Sequence, residues 1–227
     1  MKVIDDNTKK LYWWNRNYFF VTTVLIVVLN ITLYGVLGNK WERFITEDKE
    51  WILKHILNFS NLARHFLGSF SQSSWDHCLL NMLCFFFVGI YLERKKGTIP
   101  LFLLVLVMTF FTSVTTGANN FSDFMHGFSG VNYGLYAYVI IDYCFIFKKN
   151  KPTKFNIISG AVLLALIYFA MCFKSGTTEV AFTWYPADLI SNIAHYSSFV
   201  SGLVLGLTIN VIMIMCEKQN EKEANEA

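Results

Sequence analysis

The sequence predicts an all-α, polytopic membrane protein with six transmembrane helices. Hydrophobic residues make up 54% of the 227-residue chain and charged residues only 15%, against about 25% in a typical soluble domain. Six apolar stretches are each long enough for a helix to cross a bilayer, which takes roughly 20 residues. These observations exclude an ordinary water-soluble globular protein.

The predicted spans are separated by short connections and one long one. The third and fifth spans contain no charged residue. The first follows a polar start and has no small-residue cleavage site after it, so we expect it to be retained as a span. In chain order the spans cover about residues 17–37, 75–93, 99–117, 128–147, 155–173 and 189–216.

Lysine and arginine in the connections indicate the orientation, because cytoplasmic loops are enriched in them. The connections at 94–98 and 148–154 are strongly basic, whereas 118–127 has no positive charge. Both termini are therefore predicted to be cytoplasmic, and the compact plan without a transit peptide favours a bacterial plasma membrane. We expect a cytoplasmic segment over 1–16, a six-span domain over 17–216 and a cytoplasmic tail over 217–227.

The first external connection, about 38–74, is too long for a simple loop. Its segment WILKHILNFSNLARHFL has the apolar spacing of an amphipathic helix, which would lie in the membrane interface rather than cross it. We expect packing to be its role rather than contact with a substrate. The apolar residues concerned are Trp51, Leu53, Ile56, Leu57 and Phe66.

Composition also argues against other classes of site. The formal charge of +3 is small and scattered, which disfavours a nucleic-acid partner. The five cysteines lie in or beside apolar runs without a CxxC pair, so neither a disulfide framework nor a zinc site is predicted. No metal or organic cofactor is therefore predicted.

Polar residues inside the predicted spans converge at one depth. His77 opens span two, and Asn81 lies one turn deeper on the same face. Ser129 opens span four within GFSG, and His195 lies about five residues into span six. Ionisable residues inside a membrane are costly, so this convergence indicates a functional site. Asp142 falls near the cytoplasmic end instead, where we predict a snorkelling or helix-pairing role.

Small residues predict close packing between spans four and six. Span six has a small residue every four positions on the face of His195, and span four has two glycines beside Ser129. If these stripes pack together, Ser129 and His195 meet within hydrogen-bond distance. Such stripes are common in polytopic proteins and do not by themselves mark a site. They consist of Ser198, Gly202 and Gly206, and of Gly130 and Gly134.

A serine beside a histidine is suited to nucleophilic catalysis, because the histidine can take the hydroxyl proton. His77, Asn81 and the Ser129 backbone N–H are candidate donors to an oxyanion. Tyr133, one turn below Ser129, is placed to stack on the His195 ring. No Asp or Glu accompanies His195 in span six, so a dyad is predicted. Taken singly, each of these residues also fits a structural role.

Four segments resemble the rhomboid intramembrane serine proteases, within a resemblance that covers about 17–216. The second-span signature of that family resembles FSQSSWDHCLLNM (70–82), and its continuation resembles GIYLERKKG (89–97). The nucleophile motif resembles GFSGVNYG (127–134), and the base motif resembles AHYSSFVSG (194–202).

This resemblance implies a rhomboid-like helical bundle in the lipid bilayer and an endopeptidase whose substrates are other transmembrane proteins. It implies Ser129 as nucleophile and His195 as base. The supporting residues that it implies are His77 and Asn81 at the oxyanion, Tyr133 against the histidine ring, and Gly127 of the nucleophile motif.

Three positions depart from the family pattern. Gln72 stands where many members have His, Ser198 replaces a common Gly, and Trp41-Glu42-Arg43 replaces a Trp-Arg dipeptide. None of these removes a catalytic group. The alternative function is a catalytically inactive rhomboid-like binder or adaptor. A small transporter would predict inverted repeats or polar residues through both leaflets, and the sequence has neither.

Overall fold

The part of the chain that the computed structural model describes is α-helical. It comprises residues 20–38, 67–70, 72, 74–118, 128–149, 157–158, 161–162, 165 and 189–226, and it contains no β-strand. The all-α prediction is therefore confirmed for these residues. The helices are α1 (Val21–Leu37), α2 (Trp75–Lys96), α3 (Thr98–Ala118), α4 (Ser129–Lys149) and α5 (Leu189–Glu226).

Each of the five helices begins close to the start of a predicted span. The predicted fifth span, 155–173, lies mostly outside the described residues, although 157–158, 161–162 and 165 are helical. The predicted amphipathic helix over 51–67, except for Leu67, also lies outside them, as do the segment 1–16 and Gly127. Helix α5 continues beyond the predicted end of its span at 216, so most of the predicted tail is helical.

Helix α2 has a well-defined start and a sharp end. The Ser74 side chain accepts a hydrogen bond from the backbone N–H of His77 at 3.1 Å. The carboxylate of Asp76, in the first turn, interacts favourably with the positive end of the helix dipole. At the other end Gly97 adopts φ 101°, a conformation that a side chain would disfavour. This turn lets α3 begin at Thr98 directly after α2.

Glu93 joins the end of α2 to the start of α1. Its carboxylate accepts the backbone N–H groups of Thr22 at 2.9 Å and Thr23 at 3.0 Å. It also accepts the hydroxyls of Thr23 at 2.7 Å and Thr98 at 2.9 Å. The first turn of a helix leaves its N–H groups without intrahelical partners, so this buried acid caps α1 from a neighbouring helix.

Helix α4 lies at the centre of the described bundle. Every residue from 130 to 139 is buried, and the most extensive contacts of α4 are with α5. Helix α3 packs on both α4 and α5, while α1 packs mainly on α2. Ser129, the first residue of α4, therefore belongs to a helix that packs against both α3 and α5.

Apolar side chains cover the outside of the bundle as well as filling its core, and several polar side chains are buried. Apolar side chains such as Leu25, Leu83 and Val204 are more than half exposed on the outside of the bundle. Asn30 and Ser198 are fully buried inside it. Among the described residues, Trp75–Lys96 and His195–Ala224 have the length and composition needed to cross a membrane, whereas Val21–Leu37 and Thr98–Thr112 are apolar but shorter.

Asp142 has the helix-pairing role predicted for it. Its carboxylate is 1% exposed and forms ion pairs with Lys95 and Lys96 at the end of α2, the second at 2.9 Å. The Tyr91 hydroxyl also donates to it, at 3.3 Å. The Asp142 carboxylate is therefore paired with two lysines of α2 and is not directed toward the polar residues around Ser129.

Candidate active site

The first residue of α4 and the histidine of α5 are in direct contact. The Oγ atom of Ser129 lies 2.8 Å from Nε2 of His195, within the usual range of a hydrogen bond. Both side chains are half-buried rather than sealed inside the bundle. In the tautomer with Nδ1 protonated, Nε2 accepts the serine hydroxyl, which is the arrangement that activates a serine.

Tyr133 holds the histidine ring in place. The two rings are parallel within 1°, and their centroids lie 4.2 Å apart. Tyr133 is four residues after Ser129, so one helix face supplies both the hydroxyl and the surface on which the imidazole rests. The stack therefore fixes the orientation of the imidazole ring.

Glycines let α4 and α5 approach closely enough for this contact. A Cβ atom at position 202 would overlap the backbone carbonyl of Gly134. A Cβ at 206 would lie 3.1 Å from the Cβ of Ile141, tighter than ordinary packing. The predicted packing of the small-residue stripes is confirmed, and it sets the separation of the helices that carry Ser129 and His195.

A hydroxyl pair one turn beyond His195 fixes α5 against α3. The Oγ atoms of Ser198 and Thr112 lie 2.6 Å apart, and Thr112 donates its own proton to the Met108 carbonyl at 2.7 Å. A hydroxyl has one hydrogen, so Ser198 is the donor of the pair. A Cβ at Gly130 would collide with Thr112, so the pair lies directly beside the start of α4.

Phe128, the residue before the nucleophile candidate, anchors the start of α4. Its side chain is fully buried and meets the rings of Phe70 and Phe85 edge-on, at centroid distances of 5.6 Å and 5.0 Å. Its carbonyl accepts the Asn132 N–H at 3.1 Å, in the first turn of α4. Phe128 belongs to the GFSG motif, but the sequence pattern predicted no role for it.

Asn81 lies at the level of the first turn of α4. The Asn132 side chain, three residues after Ser129, donates to the Asn81 backbone carbonyl at 3.0 Å. His77 lies one turn before Asn81 in α2 and is half-buried. The structure thus brings Asn81 beside the helix that carries Ser129, and it brings Ser129 and His195 into contact.

Gln72 contacts the Asn81 amide directly, and Asn30 is connected to that amide through Gln72. Asn81 donates to Gln72 at 3.0 Å, and Gln72 donates to Asn30 of α1 at 3.2 Å. From the sequence, Gln72 stood out only as a departure from the family pattern, and no role was predicted for Asn30. An asparagine in the middle of the apolar run VTTVLIVVLNITLYGVL was the available signal.

Comparison of the sequence with models of protein families identifies the family of this chain. The model of the Rhomboid domain matches residues 60–211, well over half of the chain. The chain belongs to the rhomboid family. This confirms the resemblance carried by the four motifs, and membership of the family makes the chain an integral membrane protein.

Two curated rhomboid proteins are similar to part of the chain. Rhomboid protease GlpG of Haemophilus influenzae is 28% identical over 130 residues, which cover 57% of this chain and 60% of that protein. RHOMBOID-like protein 4 of Arabidopsis thaliana is 28% identical over 133 residues, covering 59% of this chain and 30% of that protein. The chain thus spans less than two thirds of the length of either relative.

Proposed function

We propose that this rhomboid is an intramembrane serine endopeptidase that cleaves peptide bonds in or near the transmembrane segments of other membrane proteins. The observation that carries the proposal is the 2.8 Å hydrogen-bond distance between Ser129 Oγ and His195 Nε2. The family membership and the similarity to a rhomboid protease support it. The Tyr133 ring stacked on His195 supports it independently, since it orients the base.

The first half of the reaction forms an acyl-enzyme. Ser129 Oγ attacks the carbonyl carbon of the scissile peptide bond while His195 Nε2 takes its proton. The carbonyl electron pair moves to the oxygen and creates a tetrahedral oxyanion. When the carbon–nitrogen bond breaks, His195 gives the proton to the leaving amine, and the acyl group remains esterified to Ser129.

The second half returns the enzyme to its starting state. Water attacks the ester carbonyl and loses a proton to His195 Nε2, and the proton then passes to Ser129 Oγ as the carbon–oxygen bond breaks. The products are a carboxylic acid and a free Ser129. Because Ser129 and His195 are only half-buried, water can reach the ester.

Oxyanion stabilisation is assigned to three donors: the Asn81 amide, the His77 side chain and the Ser129 backbone N–H. Such donors accelerate the reaction because they are oriented before charge develops. The positive end of the α4 dipole adds to the effect, since Ser129 is the first residue of that helix. We include Gly127 as a supporting residue on the resemblance of its motif.

The membrane arrangement is part of the proposal. We propose six spans, with residues 17–216 as the catalytic unit and both termini in the cytoplasm. The basic connections at 94–98 and 148–154 support this orientation. An impermeant thiol reagent applied to intact cells should therefore modify a cysteine introduced at Asn119 and leave one at Asn150 unmodified. The reverse pattern would contradict the orientation.

The proposed activity is tested with a quenched fluorescent peptide that carries one apolar segment of about 20 residues. Ser129→Ala and His195→Ala should each abolish its cleavage, and the double variant should be no slower, because the two groups act as one unit. Cleavage retained in Ser129→Ala would contradict the proposal. A folded wild-type protein that binds the peptide without cleaving it would favour an inactive adaptor.

A further inference from the structure

Three side-chain amides form a hydrogen-bonded chain from α1 to the proposed oxyanion site. The amide nitrogen of Asn81 donates to the Gln72 side-chain carbonyl at 3.0 Å. The Gln72 nitrogen donates in turn to the Asn30 side-chain carbonyl at 3.2 Å. All three side chains are buried, with exposures of 7%, 3% and 0%. We refer to Asn30, Gln72 and Asn81 as the amide relay.

The relay has a defined direction. The Cys78 sulfur also lies 3.6 Å from the Asn30 carbonyl oxygen, so in the structure this oxygen accepts from both Gln72 and Cys78. Gln72 must then present its nitrogen to Asn30 and its oxygen to Asn81. As a result, Asn81 turns its nitrogen, not its oxygen, toward Gln72.

The direction leaves Asn81 in the orientation that an oxyanion donor needs. An amide nitrogen carries two hydrogens, and Gln72 takes one of them, which leaves the second for a ligand. If Gln72 were reversed, Asn81 would have to present its oxygen to Gln72, and the position of its donor would change. The backbone at Asn81 is fixed separately by Asn132, which donates to its carbonyl at 3.0 Å.

The buried Asn30 amide carries an unsatisfied donor as a consequence. Its Nδ2 atom has no hydrogen-bond partner among the described residues, because its oxygen accepts both Gln72 and Cys78. A buried amide left half-satisfied is unfavourable. An arrangement made only for stability would not require the relay to run in this direction.

We propose that Gln72 is a positioning residue that orients the Asn81 amide for oxyanion stabilisation, and that Asn30 fixes Gln72 from α1. This inference rests on the proposed protease function. Gln72 acts through Asn81 and does not touch the substrate. Its effect is therefore exerted on the transition state, where the negative charge exists, and not on binding of the substrate.

The decisive substitutions at position 72 are Met and His. Gln72→Met keeps a similar length and removes both hydrogen bonds. Gln72→His preserves the direction, because a neutral imidazole accepts at one nitrogen and donates at the other. Thr109→Val is the matched control, since Thr109 is a buried polar residue of α3 outside the relay whose hydroxyl has no partner among the described residues.

Turnover of the quenched transmembrane peptide is measured per active molecule, with folded protein quantified by thermal unfolding and active sites counted with a fluorophosphonate. Gln72→Met should lower kcat by about 10-fold, less than the 10²–10³ typical when an oxyanion donor is lost outright, and KM should stay within about two-fold of wild type. Gln72→His should restore most of kcat. Thr109→Val should keep the wild-type kcat.

A double variant tests whether Gln72 acts through Asn81. Asn81→Ala should reduce kcat strongly, and adding Gln72→Met should slow it no further, because residues in one hydrogen-bonded network are not additive. A full additional loss in the double variant would overturn the relay. So would a Gln72→Met protein whose kcat per folded molecule equals that of wild type.

The same measurements separate failure of the relay from failure of the proposed function. If the folded wild type neither cleaves the peptide nor reacts with the fluorophosphonate, the protease proposal fails, and the catalytic role of the relay fails with it. If the wild type cleaves and is labelled while Gln72→Met changes only the melting temperature, the relay is structural and the protease proposal stands.

Discussion

Gly202 of α5 packs on the backbone carbonyl of Gly134 in α4, so closely that a side chain at 202 would overlap it. This backbone contact lies seven residues after His195 and five after Ser129. It therefore limits the distance between the two helices one to two turns away from the point where the proposed base and nucleophile meet.

Gly202→Ala should separate α4 from α5 and impair both stability and catalysis. Forcing a methyl group into a packed interface typically costs about 1–3 kcal/mol, and the Ser129–His195 hydrogen bond should lengthen. Gly35→Ala in α1 is the control, because its Cβ would lie 3.4 Å from the Trp75 Cη2 atom, an ordinary contact. Equal melting temperatures and turnover for the two variants would contradict this account of helix packing.

Tyr133 should contribute through its ring rather than its hydroxyl. Tyr133→Phe keeps the surface that stacks on His195, and Tyr133→Leu removes it. We expect Tyr133→Phe to stay near wild-type kcat and Tyr133→Leu to fall by about 10-fold, since misplacing a catalytic group by a fraction of an ångström is costly. Peptide turnover per folded molecule is the measurement, and equal losses in both variants would point to the hydroxyl instead.

Glu93 should contribute to stability and not to chemistry. Glu93→Ala leaves two backbone N–H groups of α1 and two threonine hydroxyls without their acceptor. Donors left unpaired inside a protein cost about 1–3 kcal/mol each, so the free energy of unfolding in mild detergent should fall by about 4 kcal/mol or more. Glu223→Ala on the exposed part of α5 should change nothing measurable, and similar unfolding curves for both variants would refute the cap.

Substitutions at Ser198 and at Thr112 should lower stability by different amounts, because one hydroxyl of the pair donates and the other accepts. Ser198→Ala removes the donor and leaves Thr112 bonded to the Met108 carbonyl, whereas Thr112→Val leaves the buried Ser198 hydroxyl without its acceptor. The loss of stability should be larger for Thr112→Val, with a coupling in the double-variant cycle of about 0.6 kcal/mol, the average for membrane helices. A larger loss for Ser198→Ala would reverse the assigned donor.

Helix periodicity made much of the site predictable. Ser129 and Tyr133 share a face because they are one turn apart, and the stripe of small residues shares a face with His195. These are local relations that a sequence displays directly. They predicted the contact between Ser129 and His195 and the stacking of Tyr133 on the histidine, both of which the structure contains.

Contacts between distant segments were the ones that sequence reasoning missed. Asn30 and Gln72 are 42 residues apart, and Glu93 lies about 70 residues from the α1 backbone that it caps. Nothing in helical spacing pairs such positions, because their contact depends on how α1 packs on α2. The pairing role of Asp142 was predicted, but its partners Lys95 and Lys96 were not, for the same reason.

The extended end of α5 was missed for a different reason. The segment after Cys216 is rich in Glu, Lys, Gln and Ala, which favour helix, and Gln219 donates to Glu223 one turn later at 3.2 Å. Apolar content defined the predicted span and so ended it at 216. Helix propensity carries the helix beyond the apolar stretch.

Labelling with a fluorophosphonate, followed by mass spectrometry of the adduct, tests whether Ser129 is a nucleophile activated by His195. Ser129 Oγ should attack the phosphorus, fluoride should leave, and His195 should take the hydroxyl proton. We predict one adduct on Ser129 in the wild type and in the control Ser201→Ala, whose serine bonds only the Ser197 carbonyl among the hydrogen bonds described. We predict none in Ser129→Ala. Labelling that persists in Ser129→Ala, or a folded wild type that stays unlabelled, would contradict the assignment of Ser129 and His195 as a catalytic dyad.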